Sequence, residues 1–144
     1  MFYTPDPTLA FVGIPSKILP FRTYEGQAAV IARIWSGRLR LPPKDRMEEW
    51  EETRIAQKGD GRKFHELLTP EDMEYHNAMV EWAEHAKPAT CGKIPRRWSE
   101  EDHWARERLP AVKAAFAEHG EGRKVIRTMG ELGFDYVDRT QNPK

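Results

Sequence analysis

The chain has 144 residues, of which 39% are hydrophobic and 32% charged, so it is one domain's length with a lean supply of core-forming side chains. Lys+Arg and Asp+Glu number 23 each, which excludes the basic excess of a general nucleic-acid binder and any net field towards membranes. Cys91 is the one cysteine, which excludes an internal disulfide and a thiolate metal cluster.

The first element is the apolar run Thr8–Ile14 between Pro7 and Pro15. Its brevity and flanking prolines predict a strand covered on both faces. Such a strand needs neighbours, and Lys124–Thr128 is the only other stretch that reads as extended. Without a sheet, the run leaves backbone groups unpaired and apolar side chains wet, so it reads as part of a domain whose other strands are encoded upstream. A helix is predicted from Tyr24 to Ser36, with Thr23 as N-cap and Gly37 as stop. Ala28, Ile31, Ala32 and Trp35 form a narrow, flat face on it, suited to close approach to a sheet. Leu39, Leu41, Pro42 and Pro43 then lead away in extended form.

The remainder reads as mostly helical. Asp45 to Lys58 has acidic residues early and Arg54 and Lys58 late, as the helix dipole favours, and Gly59 and Gly61 end it. Thr69-Pro70-Glu71-Asp72 combines an N-cap, a first-turn proline and early acids. The helix it opens places Tyr75, Met79, Trp82 and Ala86 on one side, and Pro88 closes it. Ser99-Glu100-Glu101-Asp102 opens a last helix towards His119-Gly120. Ala105, Leu109, Val112 and Phe116 share a face there, and Pro110 should kink or split it. Residues 140–144 read as a frayed tail.

The five histidines (His65, His76, His85, His103 and His119) never fall at metal-ligand spacing with carboxylate partners, so no metal is expected. Cys91 reads as an inert loop thiol. Trp35, Trp50, Trp82, Trp98 and Trp104 read as packing residues, and Glu48–Glu52 as a solvated face. Arg96-Arg97 beside Trp98 could grip a phosphate, although nothing near it resembles a phosphate cradle. No stretch approaches the about eighteen apolar residues of a bilayer span, and Met1–Pro7 has no signal-peptide pattern. A soluble, cytoplasmic chain is expected.

Three segments carry a resemblance. Pro7–Ile14, Leu19-Pro20-Phe21 and Glu25–Pro42 together resemble one segment of the flavin-containing monooxygenases, where the chain returns from the NADPH domain into the FAD domain. The match covers Thr4 to about Trp50 and lies in the order of elements. From Phe64 to Tyr136 it is looser. Phe64-His65-Glu66-Leu67, Tyr75 with Trp82-Ala83, and Leu132–Tyr136 look like the helical C-terminal extension of fungal members.

The resemblance implies a mainly α fold with a short β element. Residues 1–43 would be an incomplete FAD-domain fragment (strand, loop, helix), and residues 44–139 a helical extension. It implies a parent enzyme that uses NADPH to reduce FAD and passes one oxygen atom from a C4a-hydroperoxyflavin to the soft nitrogen or sulfur of an amine or thiol. The cofactor carries that chemistry, so no catalytic side chain is expected. By the same resemblance Gln27 sits where the family approaches the flavin, with Phe21 and Thr23 on the loop along the cofactor's edge. The family's two Gly-x-Gly-x-x-Gly turns are missing: Gly59-Asp60-Gly61 and Gly120-Glu121-Gly122 show only the first spacing. The chain alone is therefore expected to hold neither FAD nor NADPH tightly and to be silent. The competing expectation is a free-standing helical module that binds a protein partner.

Overall fold

The computed structural model describes residues 1–87 and 92–137. Cys91, Pro88 and the expected frayed tail lie outside the described residues. The chain divides into two compact units, Met1–Arg97 and Trp98–Lys144. Among the described residues, regular structure is almost wholly helical: α1 (Pro20–Trp35), α2 (Lys44–Lys58), α3 (Glu71–Glu84) and α4 (Glu100–Glu118), with short 3-10 turns between and after them.

The expected strand does not form. Thr8–Ile14 contributes only an isolated antiparallel bridge between Phe2 and Ala10, closed by Tyr3 N–H to Leu9 O at 3.0 Å and Phe11 N–H to Met1 O at 2.9 Å. Among the described residues there is no sheet for it to join, and Gly13 bends the run out of register with a φ of 87°. Leu9, Phe11, Val12 and Ile14 are accordingly 41–50% exposed, the wet side chains expected of an unpartnered strand. Lys124–Thr128 forms no strand either: Lys124 and Val125 belong to a 3-10 turn over Gly120–Val125, and the backbone is extended at Ile126.

Helix α1 starts four residues earlier than expected, because Pro20 occupies the first turn, where its missing N–H costs nothing and its fixed φ suits a helix. Thr23 is therefore not a cap. It lies buried inside the helix, its hydroxyl donating to Leu19 O at 3.1 Å. The stop at Gly37 is as expected, with Gly37 N–H on Ile34 O at 2.9 Å. The buried face is rotated from the expected one. Thr23, Gly26, Gln27, Val30 and Arg33 point inwards with Ala29 and Ile31, while Ala28, Ala32 and Trp35 face solvent.

That inner face packs on α3, which buries Asp72, Met73, His76, Val80 and Ala83. Val30, Met73 and Val80 are at most 1% exposed, and each contributes about 2 kcal/mol by burial. Gly26 permits the close approach: a Cβ on it would meet Met79 Cβ at 3.3 Å and His76 Nδ1 at 3.4 Å. His76 ties the packing together, its ring nitrogens 3.1 Å from Arg22 O and 3.0 Å from Arg96 O. Buried Arg33 donates to Ala29 O and to Gly92 O, both at 2.9 Å, so the segment after α3 is clamped onto α1. Pro70, not Thr69, takes the N-cap of α3, its carbonyl accepting from Met73 N–H at 2.9 Å.

Helix α2 buries no residue. It is attached through its last turns, where Arg54 and Lys58 each reach Glu71 at 2.8 Å. In the second unit, Ser99 forms the expected N-terminus of α4 as a capping box: its hydroxyl accepts from Asp102 N–H at 3.2 Å, and Ser99 N–H donates to Asp102 Oδ2 at 2.9 Å. Pro110 does not split α4, which runs unbroken through it. One backbone donor is lost there, and the turns on either side continue.

Candidate functional site

The first unit carries a groove of about 920 Å³. One wall is the N-terminal hook, with Met1, Phe2 and Tyr3 beside Phe11 and Ile14. The second is α2, through Met47, Trp50 and Arg54, together with Phe64. The third is α3, through Tyr75, Ala78, Met79 and Trp82, and Gln27 of α1 lies at the floor. Of the side expected to carry Tyr75, Met79, Trp82 and Ala86, the first three line the groove, while Met79 and Trp82 also pack against the core that includes buried Ala86.

At the floor two polar side chains meet. Gly13 N–H donates to Gln27 Oε1 at 3.0 Å. A backbone N–H can only donate, so this bond fixes the orientation of the amide. The other end, Nε2, donates to the Tyr75 hydroxyl oxygen at 2.9 Å. Gln27 is fully buried and held at both ends. Burial pushes the Tyr75 phenol above its ordinary range, more than the Gln27 hydrogen bond and the Arg54 charge pull it down. Gly13 itself sits against the Tyr24 ring, which a Cβ would approach to 3.2 Å.

At the α2 wall the Arg54 guanidinium lies 5.7 Å from the Trp50 ring centroid and 5.5 Å from that of Phe64. It donates to Phe64 O at 2.7 Å, to Glu66 O at 3.3 Å and to Glu71 Oε1 at 2.8 Å. Burial alone would raise the Glu71 carboxyl, but the hydrogen bonds from Lys58 and Arg54 outweigh it and hold it below the usual carboxylate range.

The three residues singled out for a cofactor are not brought together. Gln27 reaches the groove, Thr23 is buried against its own helix, and Phe21 stands 88% exposed away from it. The Gln27 amide and the Thr23 hydroxyl are engaged by protein groups, and no Gly-x-Gly-x-x-Gly turn follows any strand, so the described residues do not fit FAD. Tyr75, Arg54, Glu71 and Phe64 were not apparent as site residues from sequence, because their partners are 10 to 48 positions away. Among the described residues no group of three or more His, Cys, Asp or Glu could hold a metal ion. Arg97 is paired with Glu84 and lies 3.9 Å from Glu81, so it is engaged by carboxylates. No helix among the described residues is long and apolar enough to cross a membrane.

A small helical unit with an aromatic groove defines no class by geometry alone, and no protein-family model matches the chain. Similarity to known proteins is more specific. The flavin-containing monooxygenase ustF1 of Aspergillus flavus is 39% identical over 95 residues, covering 66% of this chain and 23% of that protein. The flavin-containing monooxygenase ustF2 of the same organism is 34% identical over 89 residues, covering 62% of this chain and 18% of the relative. The flavin-containing monooxygenase FMO GS-OX-like 9 of Arabidopsis thaliana is 49% identical over 42 residues, 29% of this chain and 9% of its own length. The resemblance read from the sequence therefore stands: over most of its length this chain is similar to flavin-containing monooxygenases. It spans about a fifth of the two fungal relatives, 23% and 18%.

Proposed function

We propose that the chain is a C-terminal piece of an NADPH- and FAD-dependent monooxygenase, one that oxygenates soft nitrogen or sulfur centres of small amines or thiols in the cytoplasm, and that the piece is silent alone. Residues 1–43 are read as the end of the FAD domain and 44–139 as its helical extension. In this reading Gln27, Phe21 and Thr23 border the cofactor only when the rest of the enzyme is present.

The observation that carries the reading is where the apolar surface lies. The outer stripe of α1 (Phe21, Ala28, Ala32 and Trp35) and the run Leu9–Ile14 face solvent, and both lie in the stretch whose order of elements resembles the monooxygenases. Surface of this kind is what an element shows when the layer that covers it is elsewhere. The test is direct. The purified chain is expected to be colourless and not to oxidise NADPH with or without added FAD. A yellow protein retaining flavin through gel filtration overturns the silent reading.

A second reading has one specific support: Met1–Arg97 is a compact unit with its own core at Val30, Met73 and Val80. A unit of this kind can serve as a free-standing interaction module. Cooperative unfolding of the isolated chain as a monomer favours it, whereas aggregation relieved only by the remainder of a monooxygenase chain favours the first.

A further inference from the structure

We propose that the groove of the first unit is a binding site for a small, neutral, flat aromatic molecule carrying one carbonyl-type acceptor, with the Tyr75 hydroxyl as its donor. The proposal does not rest on the monooxygenase reading. It begins from a hydrogen-bond count. The Gly13 N–H fixes the Gln27 amide so that Nε2 faces Tyr75, and the Tyr75 oxygen must therefore accept. Its own hydrogen is left to give, and among the described residues no acceptor takes it. A largely buried hydroxyl with an unused hydrogen, on a wall of apolar and aromatic side chains, is a preorganised donor at about the place where a ligand would need one.

The rest of the lining sets the ligand's shape and charge. Trp50, Phe64 and Trp82 offer faces and edges for a flat ring, and Met47 and Met79 offer adaptable thioether contacts. Arg54 is no anion receptor: its hydrogen bonds go to two carbonyls and Glu71, between two aromatic rings. Glu48, Glu51 and Glu74 also line the groove and oppose an anion, while of the cationic groups there Arg46 is paired with Glu49 and burial lowers the pKa of the Met1 amine, disfavouring its charge. A carboxylate or phosphate ligand is thus disfavoured, and a neutral acceptor on an apolar body is favoured. The groove's volume of about 920 Å³ lies within the range of small-molecule sites.

The experiment uses the full chain and two probes of one shape, indanone and indane, which differ in the carbonyl. Binding is followed by the backbone amide and tryptophan indole NMR signals. Indanone is expected to move the signals of Tyr75, Trp50 and Trp82 and to bind more tightly than indane. Tyr75→Phe should weaken indanone by roughly three- to tenfold, the worth of one hydrogen bond, and leave indane unchanged. Ala78→Trp places a large ring in the groove from an exposed position and should abolish both. If Tyr75→Phe does not fold, the indanone-to-indane ratio and Ala78→Trp decide alone. Equal binding of the two probes, or no shift with either, overturns the proposal. So does sedimentation showing a dimer that Ala78→Trp disperses, because the groove is then covered by a second copy.

Discussion

The Gln27 amide donates to the Tyr75 hydroxyl across 48 positions of sequence, and with its other end it accepts from Gly13 N–H. One side chain thus joins α1, α3 and the bent apolar run. Gln27→Met keeps the length and loses both bonds, leaving a backbone N–H and a hydroxyl without partners. The expected loss is about 1–3 kcal/mol by urea denaturation. A double-mutant cycle with Tyr75→Phe should return a coupling of about 1 kcal/mol, and a coupling near zero would show the bond to be idle.

Gly26→Ala sets two effects against each other. Alanine gains about 1 kcal/mol over glycine inside a helix. The new methyl would stand 3.3 Å from Met79 Cβ and 3.4 Å from His76 Nδ1, groups held by the α3 backbone and by two carbonyls. Overpacking of this kind costs about 1–3 kcal/mol, so a net fall in stability is expected. A rise in melting temperature would show that α1 and α3 have slack between them.

Acid should release α2. The Glu71 carboxyl is held below its ordinary value of 4.5, so its contribution is complete above that value and is lost as pH falls through the lower, folded one. Glu71→Gln should therefore lower stability at neutral pH and flatten the loss seen in wild type below pH 4.5. Parallel pH profiles for the two proteins would rule out this carboxylate as the acid-sensitive group.

At the alkaline end Tyr75 behaves in the opposite sense. Its phenol is raised above the ordinary 10, so it keeps its proton where the unfolded chain has lost it, and this contribution fades as pH climbs past 10. In an ultraviolet titration of the four tyrosines, one component should lag until the chain unfolds, and Tyr75→Phe should remove it. A variant with an unchanged late component would place it on another tyrosine.

In the second unit, Ser99→Ala removes the hydroxyl that accepts from Asp102 N–H, keeps the backbone N–H bond to Asp102 Oδ2, and should cost α4 about 1 kcal/mol. Circular dichroism during thermal unfolding would register it as an earlier loss of helix signal.

Several helix ends were legible in this sequence, although Thr23 and Thr69, expected as caps, are not caps. Ser99 with Asp102, Gly37 and Gly59 act locally, within one turn, and each stands where composition and spacing put it. Faces were less legible. The buried side of α1 includes Thr23, Gln27 and Arg33, polar residues whose burial is repaid by carbonyl, amide and hydroxyl partners, so a search for apolar period passes over them. The run at Leu9–Ile14 has a strand's composition, but pairing is a property of neighbours, and Phe2 supplies only one bridge. Of the site, Gln27 came through family pattern. Its partner Tyr75 and the Arg54–Glu71 pair depend on contacts made only once the chain has folded.

The attachment of α2 has a mechanical consequence. Arg54 and Lys58 fasten the helix near its end, whereas Met47 and Trp50, which line the groove, lie on the far side of that fastening. At about 1.5 Å per residue, Met47 is roughly 10 Å along the axis from Arg54. With no buried residue of its own, the helix is held by these two ion pairs and by the edge contact of Trp50 on Phe64. Glu71, on the helix opposite, is thus one of the groups that fix where this wall of the groove stands.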